Sequence, residues 1–356
     1  MDYILMEKQD IKSFRISEEL KKSNIKVIFL PNNPIYNIFK IIKCLFKYGK
    51  PKAIIYRYLN DFDNLPKNLL KILFENIEYN LMKILKSKVL WICHNIDRET
   101  YVYSKKINSY RRRLLLRYVD KVFVTDPELK EVAIKYLHIE ENDLSYITFG
   151  NMSNGSEVYP NQDFIYEKIV DFVENEKRVY KDKVYFTFCA GKANHKTEHY
   201  RTIKRLIEEG EKKNIIIRAI IIGPLEEYYL KKDSETLRFL KIDSRVLFIN
   251  GFYRFNEKEF EGLIDFYWRV YSDYSMPGTV YKAVELRKPI ITMNLGILPK
   301  VIEKNDIGFV IDNKFSNIGN VFNSLNSIPS SNYKDFETTH SWEIAAQNIM
   351  RVINGV

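Results

Sequence analysis

The stretch Tyr271–Asn294, YSDYSMPGTVYKAVELRKPIITMN, constrains the fold of this chain more than any other part of its sequence. The apolar run Phe266–Tyr271 leads into it and indicates a buried strand. Pro277-Gly278-Thr279 then opens a short helix that Lys288-Pro289 closes, and a second apolar run, Ile290–Met293, follows at once. Strand, turn, helix and strand within roughly 30 residues form a βαβ unit, whose two strands lie parallel in one sheet.

The same alternation of strand-like and helix-like patterns runs through both halves of the chain. Apolar runs that predict strands lie at 2–6, 25–30, 53–58, 88–93, 121–125, 145–148, 183–190, 215–222 and 245–249. Such repetition predicts an α/β protein built from parallel sheets of the Rossmann-like kind. Because 356 residues exceed the usual size of one domain, we predict two domains, residues 1–165 and 166–356, joined through the polar segment 151–180.

The helix that begins at Gly278 has the features of a phosphate site. Its first turn, with the backbone N–H groups of Gly278, Thr279 and Val280, presents unpaired donors and the positive end of the helix dipole. Seven residues further on, Glu285 is a carboxylate that can accept hydrogen bonds from two vicinal hydroxyls, as a ribose presents. A glutamate in contact with solvent on the helix surface is the alternative, which the spacing leaves open.

The charge of the chain is unevenly distributed. Residues 21–118 hold 21 Lys and Arg against 6 Asp and Glu, so this segment carries 21 − 6 = +15 and the rest carries 10 − 15 = −5. An excess of this kind predicts an anionic partner, which could be a membrane surface, a pyrophosphate lipid or a nucleic acid.

The helix predicted at 35–48 lies inside this basic segment. Its apolar stripe consists of Ile35, Ile38, Phe39, Ile42, Leu45 and Phe46, and lysines lie along its flank. This composition is typical of a helix that lies in a membrane interface. A helix that faces the core with its lysines in solvent would show a similar pattern, so both interpretations stay open.

The cysteines and the N-terminus indicate a cytoplasmic protein. Cys44, Cys93 and Cys189 are odd in number, far apart and each within an apolar run, which predicts buried, reduced thiols. The N-terminus lacks the basic-then-apolar pattern of a signal peptide, and no uncharged run is long enough to span a membrane.

These motifs resemble those of GT-B glycosyltransferases, especially the family 4-like (group 1) enzymes of bacterial polysaccharide and glycoconjugate assembly. The residues that carry the resemblance are His94-Asn95, Ile147–Gly150, Gly278-Thr279, Ala283, Glu285, Pro289-Ile290-Ile291 and Gly296–Pro299. The resemblance spans nearly the whole chain. It implies two facing Rossmann-like domains and a C-terminal helix, 341–353, that crosses back to the first.

The resemblance also implies a donor site on the second domain. Its residues would be Gly191, Lys192, Lys196, Gly223, Tyr253, Ser275, Gly278, Thr279, Val280 and Glu285. Lys192 and Lys196 would neutralise the diphosphate, although Lys192 stands where the family has an arginine and lacks its bidentate fork. Glu285 would bind the ribose. No metal or other cofactor is expected, because such folds usually work without one and the stretch Tyr271–Asn294 contains no Asp-x-Asp site.

Acceptor activation is assigned to residues that follow the fourth strand of the first domain. His94, Asp97 and Glu99 are the candidates, with one of them as general base if the reaction inverts configuration. If it retains configuration, they position the acceptor instead. Pro277 stands where many retaining members have a first glutamate, and Phe149 where members have a second histidine, so the stereochemistry stays open. A histidine after a strand can also be a packed ring that bonds only backbone.

The function that the resemblance implies is a metal-independent hexosyltransferase. It would move a sugar from a nucleotide-sugar donor, with UDP favoured by frequency, to a saccharide acceptor linked to polyprenyl pyrophosphate, in polysaccharide or glycoconjugate assembly. The basic segments 35–52 and 105–117 would hold it to the anionic inner face of the membrane. The alternatives are an inactive GT-B-like accessory protein, an epimerase of the same fold, and a nucleic-acid-binding protein, which charge alone suggests and no recognised module supports.

Overall fold

The structure is a computed structural model that describes residues 2–7, 10–31, 33–97, 103–151, 162–181, 183–192, 196–225, 233–253 and 255–355. The chain divides into two compact units. Unit 1 consists of Met1–Gly150, Tyr274–Met276 and Thr339–Val356, and unit 2 of Asn151–Asp273 and Pro277–Thr338.

The strands of the described residues form two six-stranded parallel sheets, as the alternating pattern predicts. They are β1 (Tyr3–Glu7), β2 (Lys26–Leu30), β3 (Ala53–Tyr56), β4 (Lys88–Cys93), β5 (Lys121–Val124), β6 (Leu144–Tyr146), β7 (Val184–Ala190), β8 (Ile216–Ile222), β9 (Val246–Ile249), β10 (Phe266–Trp268), β11 (Ile290–Met293) and β12 (Gly308–Ile311). The strand β3 (AIIY) and the last five residues of β4 (VLWIC) are continuously apolar and buried, because a parallel sheet is covered on both faces.

Helices connect the strands and cover the sheets. They are α1 (Ile11–Lys22), α2 (Pro34–Tyr48), α3 (Leu65–Ile84), α4 (Lys105–Leu116), α5 (Lys130–Leu137), α6 (Gln162–Tyr180), α7 (His199–Glu211), α8 (Ser234–Ile242), α9 (Gly278–Glu285), α10 (Leu298–Asn305), α11 (Ile318–Asn323), α12 (Ser330–Thr339) and α13 (Trp342–Asn354). Side-chain caps define several starts. Asp10 forms a capping box with Ser13 at α1, and Asn64 caps α3, with Pro66 in its first turn.

The order of strands differs between the two sheets. Unit 1 has the order β2-β1-β3-β4-β5-β6, and unit 2 has β12-β11-β10-β7-β8-β9. In each sheet the order reverses at one point, between β1 and β3 in unit 1 and between β7 and β10 in unit 2. Ligands of open α/β sheets bind beyond the carboxyl ends of the strands at such points. These two edges are therefore where a site is to be sought in each unit.

The units divide earlier in the chain than predicted. The division falls after Gly150, whereas the predicted boundary at residue 165 lies inside α6. Helix α6 groups with unit 2 because it packs against β7 and against the 3-10 helix Glu257–Leu263. The linker was predicted because the segment 151–180 is polar. Polarity does not show which of the two units α6 packs against.

The segment Thr339–Val356, which contains the predicted crossing helix, groups with unit 1. Helix α13 packs along α1, and the Asn348 side chain donates to the carbonyl of Tyr146 at the end of β6, at 2.9 Å. The Trp342 ring lies 5.4 Å from that of Phe149. A Cβ at Gly150 would lie only 2.7 Å from Trp342 Cδ1, so glycine is required for this close approach.

The three cysteines are buried and free, as predicted. Within the part of the chain that the structure describes, every helix is too short or too polar to cross a membrane.

Candidate functional site

A cavity of about 260 Å³ lies in unit 2 at the carboxyl ends of β7, β8 and β9. Five residues of the predicted donor site line it, namely Gly191, Lys192, Gly223, Tyr253 and Thr279. Residues from separate loops thus converge on one cavity at the edge of the sheet where α/β proteins bind ligands.

Two glycines form one wall of this cavity by close backbone contact. A Cβ at Gly223 would lie 1.9 Å from the carbonyl oxygen of Gly191, so no side chain fits there. Gly191 has φ +115°, a conformation that favours glycine, and its carbonyl accepts a hydrogen bond of 2.6 Å from the Tyr200 hydroxyl. The backbone at both positions is therefore open to close approach by a ligand.

The start of α9 offers polar groups to the cavity, but fewer than predicted. Among the described residues, the Thr279 hydroxyl has no hydrogen-bond partner, and the space above Gly278 is open. Val280 is buried and its N–H donates to the carbonyl of Pro277 at 3.2 Å. It is therefore not one of the unpaired donors, because the first helical turn tightens onto Pro277.

Glu285 does not line the cavity, contrary to its predicted place in the donor site. Its carboxylate is 3.1 Å from the Lys258 ammonium group, and its side chain is 7 % exposed. The cause is helix geometry. Thr279 and Lys282, three residues apart, share the face of α9 that lines the cavity, and at about 100° per residue Glu285 turns further away.

Lys282 and Glu257 are functional candidates that the sequence analysis missed. Both line the cavity and their side chains form an ion pair. The second carboxylate oxygen of Glu257 accepts a hydrogen bond of 2.8 Å from the Tyr267 hydroxyl. Burial and the adjacent carboxylate raise the pKa of Tyr267 well above its ordinary value, so the phenol remains a donor.

The two lysines predicted to bind the diphosphate have different surroundings. Lys192 is exposed and lines the cavity. Lys196 is buried and pairs with the carboxylate of Asp273 at 2.7 Å, with both side chains almost inaccessible to solvent. Ser275, also predicted to bind the donor, is buried and groups with unit 1.

Arg269 is a further buried cation beside the cavity that the sequence analysis did not single out. Its Nη1 donates to the carbonyl of Ala190 at 3.0 Å and lies 3.1 Å from His199 Nε2. A Cβ at Gly191 would lie 3.9 Å from the same nitrogen. Its Nε has no hydrogen-bond partner among the described residues. An arginine within the apolar run FYWRVY was the available signal, because charged residues are rare in buried strands.

His199 is neutral in this environment. Burial and the Arg269 guanidinium hold its pKa well below the ordinary value. Since arginine only donates, the Nε2 of His199 is the acceptor, and its Nδ1 donates to the carbonyl of Val270 at 3.3 Å. The histidine therefore orients Arg269 without adding charge.

In unit 1, His94 follows β4 and is packed between two aromatic rings. The Tyr58 ring stacks on it at 4.5 Å and the Phe149 ring at 5.8 Å. Its Nε2 lies 3.4 Å from Nη2 of Arg57, which can only donate. Phe149, noted as standing in place of a second histidine, thus supplies one face of this sandwich.

Arg57 and Lys12 place two cations where the strand order of unit 1 reverses. Arg57 pairs with Asp10 at 2.6 Å, and Lys12 lies 4.1 Å from the centre of the Phe149 ring. Burial and the nearby Arg57 charge lower the pKa of Lys12 to about 8. The carboxyl edge of this sheet therefore holds two cations beside the carboxylate of Asp10.

Asp97 lies in the wall of another cavity of unit 1, of about 640 Å³, between α4 and α5. The same cavity is also lined by basic side chains, namely Lys105, Lys106, Arg112, Arg113 and His138. Arg112 also shapes the loop after β4, since its guanidinium donates to the carbonyls of Asn95 and Ile96 at 2.7 and 2.6 Å. Glu99, the third predicted acceptor residue, lies outside the described residues.

The predicted basic surface at 105–117 is smaller than its sequence indicates. Arg111 is fully buried, and its guanidinium donates to the carboxylate of Glu75 on α3 at 2.8 Å. Lys105, Lys106, Arg113 and Arg117 remain exposed. Helical periodicity places residue 111 on the core side, where it needs a counter-charge.

No cluster of three or more His, Cys, Asp or Glu side chains that could hold a metal occurs in the described ranges. The metal independence of the reaction stays a prediction.

Several solved glycosyltransferase structures resemble this chain over nearly its whole length. A glycosyltransferase from Rickettsia africae ESF-5 matches with a TM-score of 0.63 and 14 % identity, covering 99 % of this chain and 98 % of that one. Anabaena Alr3699/HepE in complex with UDP matches with a TM-score of 0.61 and 11 % identity, covering 100 % of both chains. The lipopolysaccharide outer core galactosyltransferase WaaB matches with a TM-score of 0.61 and 12 % identity, covering 100 % of this chain and 99 % of that one.

These likenesses establish the fold. The chain has the GT-B fold, which confirms the fold class inferred from its sequence. No protein-family model matches the sequence, and no curated protein matches it either.

Proposed function

We propose that this protein is a glycosyltransferase that uses a nucleotide-sugar donor bound in the cavity of unit 2. The observation that carries the proposal is the convergence of Gly191, Lys192, Gly223 and Thr279 on one cavity at the carboxyl edge of a GT-B sheet. Exposed backbone, a lysine and an unpaired hydroxyl are the groups that bind and neutralise a diphosphate leaving group. Arg269, buried beside Gly191, adds a second positive charge to this region.

The proposed donor is a UDP-sugar. Support comes from Anabaena HepE, a fold neighbour whose structure contains UDP. The aromatic residues Phe252 and Tyr253 line the same cavity and offer ring surfaces against which a nucleobase can pack. No metal or cofactor is needed in this proposal, because Lys192 and Arg269 provide the positive charge.

The proposed acceptor is a saccharide on a polyprenyl pyrophosphate lipid, in polysaccharide or glycoconjugate assembly. The basic cavity around Asp97 supports an anionic acceptor, since its lysines and arginines outnumber its single carboxylate. WaaB, a fold neighbour, is named as a galactosyltransferase of the lipopolysaccharide outer core. Transfer of this kind would take place on the cytoplasmic face of a membrane.

Peripheral attachment to that membrane is assigned mainly to α2. Its inner face, with Ile41 and Cys44, is buried in unit 1. Phe39 and Phe46 project on the outer side and are 66 % and 90 % exposed, and Lys43 and Lys47 lie beside them. Exposed apolar side chains flanked by lysines suit an anionic bilayer surface.

The neighbouring helix α3 also exposes apolar side chains. It packs against α2 and exposes the leucines Leu65, Leu69 and Leu73, which recur every four residues along one stripe. Neighbours on an α-helix surface lie three or four residues apart, so these leucines form a continuous apolar strip. Isolated exposed apolar side chains are normal on a protein surface, but α2 and α3 expose several of them, which is typical of an interaction site.

The roles of the acceptor residues follow from their surroundings. His94 lies between two rings with its Nε2 facing Arg57, an arrangement that suits positioning of the acceptor. Asp97 lies in the basic cavity and is the candidate general base if configuration is inverted. If configuration is retained, Asp97 orients the acceptor hydroxyl.

The test is calorimetric titration of the protein with UDP and with GDP. We expect UDP to bind, and we expect Lys192→Ala to weaken UDP binding about tenfold or more, since a charge-assisted contact is lost. Lys241→Ala, an exposed lysine of α8, is the matched control and leaves binding unchanged. If neither UDP nor GDP binds, the result contradicts the proposal and favours an accessory protein of the same fold.

The reaction class is tested by incubating the protein with UDP-sugars with and without lipid-linked saccharide. Product that forms only when acceptor is present supports transfer. A changed sugar nucleotide in the absence of acceptor would instead identify an epimerase, and no turnover with intact UDP binding would identify an inactive binding protein.

A further inference from the structure

We propose that the Glu257–Lys282 ion pair, and not Glu285, binds the vicinal hydroxyls of the nucleotide ribose. This inference rests on the proposed nucleotide-sugar function and assigns one part of that site. Both residues line the unit 2 cavity together with Thr279 and Gly191, whereas Glu285 does not. The site therefore places a carboxylate and an ammonium group next to each other on the cavity wall.

Glu257 has acceptor capacity left for a ligand. Its side chain is 6 % exposed, one oxygen accepts from Lys282, and the other accepts from the Tyr267 hydroxyl. Each oxygen of an ionised carboxylate has two lone-pair sites, so each retains one acceptor position. The two contacts also fix the orientation of the carboxylate, which reduces the entropy lost when a ligand binds.

Lys282 has donor capacity left as well. Its ammonium group carries three N–H bonds, and the Glu257 contact uses one of them. Its side chain remains about a third exposed, so a ligand in the cavity can reach it. Each ribose hydroxyl both donates and accepts, and an adjacent carboxylate and ammonium group complement two such hydroxyls on neighbouring carbons.

The position of the pair on the cavity wall agrees with this role. Lys282 lies one turn after Thr279 on α9, and Thr279 stands at the start of that helix. Phe252, on the loop after β9, is 80 % exposed and also lines the cavity. The pair therefore lies one helical turn beyond the end of α9 that suits a phosphate, in a cavity that also contains an aromatic surface for a base.

Glu285 is unsuited to the same task in this structure. Its carboxylate is held by Lys258, whose own side chain is more than half exposed, and Glu285 lies about 120° around α9 from Thr279, outside the lining of the cavity. Binding the diol through Glu285 would require that contact to break and the carboxylate to reach into a cavity that it does not line.

The test compares the affinity of UDP with that of 2′,3′-dideoxy-UDP by calorimetry. We expect the wild type to bind UDP at least about tenfold more tightly than the dideoxy analogue. The analogue lacks both hydroxyls and leaves the Glu257 carboxylate and the Lys282 ammonium group without hydrogen-bond partners from the ligand. In Glu257→Gln this ratio falls to roughly one to three, while affinity for the dideoxy analogue changes little. Glu285→Gln, the competing assignment, and Glu261→Gln, an exposed glutamate on the same 3-10 helix, keep the wild-type ratio.

The outcomes separate this inference from the proposed function. If the wild type binds neither nucleotide, the proposed function fails. If UDP binds and the ratio is kept in Glu257→Gln, or is lost in Glu285→Gln, the diol assignment is overturned. Should Glu257→Gln fail to fold, Lys282→Gln removes the same pair from a more exposed position, and retention of the ratio there overturns the assignment equally.

Discussion

A buried ion pair between Glu75 and Arg111 fixes two helices of unit 1 to each other. The Arg111 guanidinium donates to the Glu75 carboxylate from α4, and its Nη1 also donates to the carbonyl of Leu59 at 2.7 Å. Arg111 is inaccessible to solvent and Glu75 nearly so. Neither charge can be satisfied by water if its partner is removed.

Glu75→Gln is therefore expected to lower the free energy of unfolding by about 3–5 kcal/mol, since it leaves a buried, uncompensated arginine. Urea denaturation followed by circular dichroism measures the change. Glu78→Gln is the matched control on the same helix. Burial raises the pKa of Glu78 well above its ordinary value, and Tyr56 donates to it, so a neutral amide is a close substitute. Equal losses in both variants would contradict the ion-pair argument.

Because His199 is buried and neutral, we expect the protein to lose stability on acidification. Its folded pKa lies below the unfolded value of about 6.5, so the unfolded chain binds more protons between the two values. The free energy of unfolding then falls as the pH drops below about 6.5, by up to roughly 1.4 kcal/mol per pH unit from this group.

Urea midpoints at pH 5.5, 6.5 and 7.5 measure this effect. His199→Gln should reduce the dependence on pH, whereas His138→Asn, an exposed histidine in a left-handed cap where asparagine is tolerated, should leave it unchanged. An unaltered pH dependence in His199→Gln would show that other groups cause it.

At the residue scale, the sequence predicted some of the residues that line the unit 2 cavity and missed others. Thr279 and Lys192 were predicted and line the cavity. Glu285 was predicted from its chemistry, and Lys282 and Glu257 were missed, because their pairing joins residues 25 apart that only folding brings together. Which face of a short helix meets the cavity depends on how that helix packs.

At the scale of elements, the chain segments that follow β7 and β8 contact each other through backbone atoms alone, at Gly191 and Gly223. Gly223→Ala is expected to destabilise the protein by about 1–3 kcal/mol or more and to abolish UDP binding, because the new methyl group overlaps the Gly191 carbonyl. Thermal unfolding and calorimetry test both effects.

Gly319→Ala is the control of opposite sign. Gly319 lies in α11 with no atom near its would-be Cβ, and alanine there should be neutral or stabilising by up to about 1 kcal/mol. Loss of stability in both variants would show that glycine matters for a reason other than the contact at Gly223.

The exposed faces of α2 and α3 predict binding to anionic vesicles. The double substitution Phe39→Ser, Phe46→Ser should reduce co-flotation with vesicles rich in phosphatidylglycerol at least several-fold, with no change in thermal stability. Ile242→Ser is the control, since Ile242 is an equally exposed apolar residue on α8 of unit 2. Equal flotation of all three proteins would exclude this surface as the attachment site.

The elements themselves could be predicted well because their patterns are local. The predicted strands at 25–30 and 88–93 agree with β2 and β4 to within one residue. The apolar run Phe266–Tyr271 was predicted as one strand, whereas β10 ends at Trp268. Apolar residues on both sides of that end made the boundary indistinct.

At the scale of the whole molecule, alternation predicted two parallel sheets but not their strand orders. Unit 1 reverses order after its first two strands, and unit 2 after its first three. Hydrophobic periodicity reports whether a strand is buried on both faces and contains no information about its neighbours. The Lys12 and Arg57 cluster of unit 1 could not be foreseen for this reason, because it requires β1 and β3 to lie side by side.

The discontinuous chain path of unit 1 has a consequence for protein synthesis. Helix α13 packs on α1 and on the end of β6, yet the ribosome produces it only after the whole of unit 2. We expect nascent chains that stop at Thr338 to contain a protease-resistant unit 2 and a protease-sensitive unit 1, which limited proteolysis of stalled chains can measure. The first half of this protein to be translated is thus the last to be completed, and until then its unfinished surface is open to chaperones.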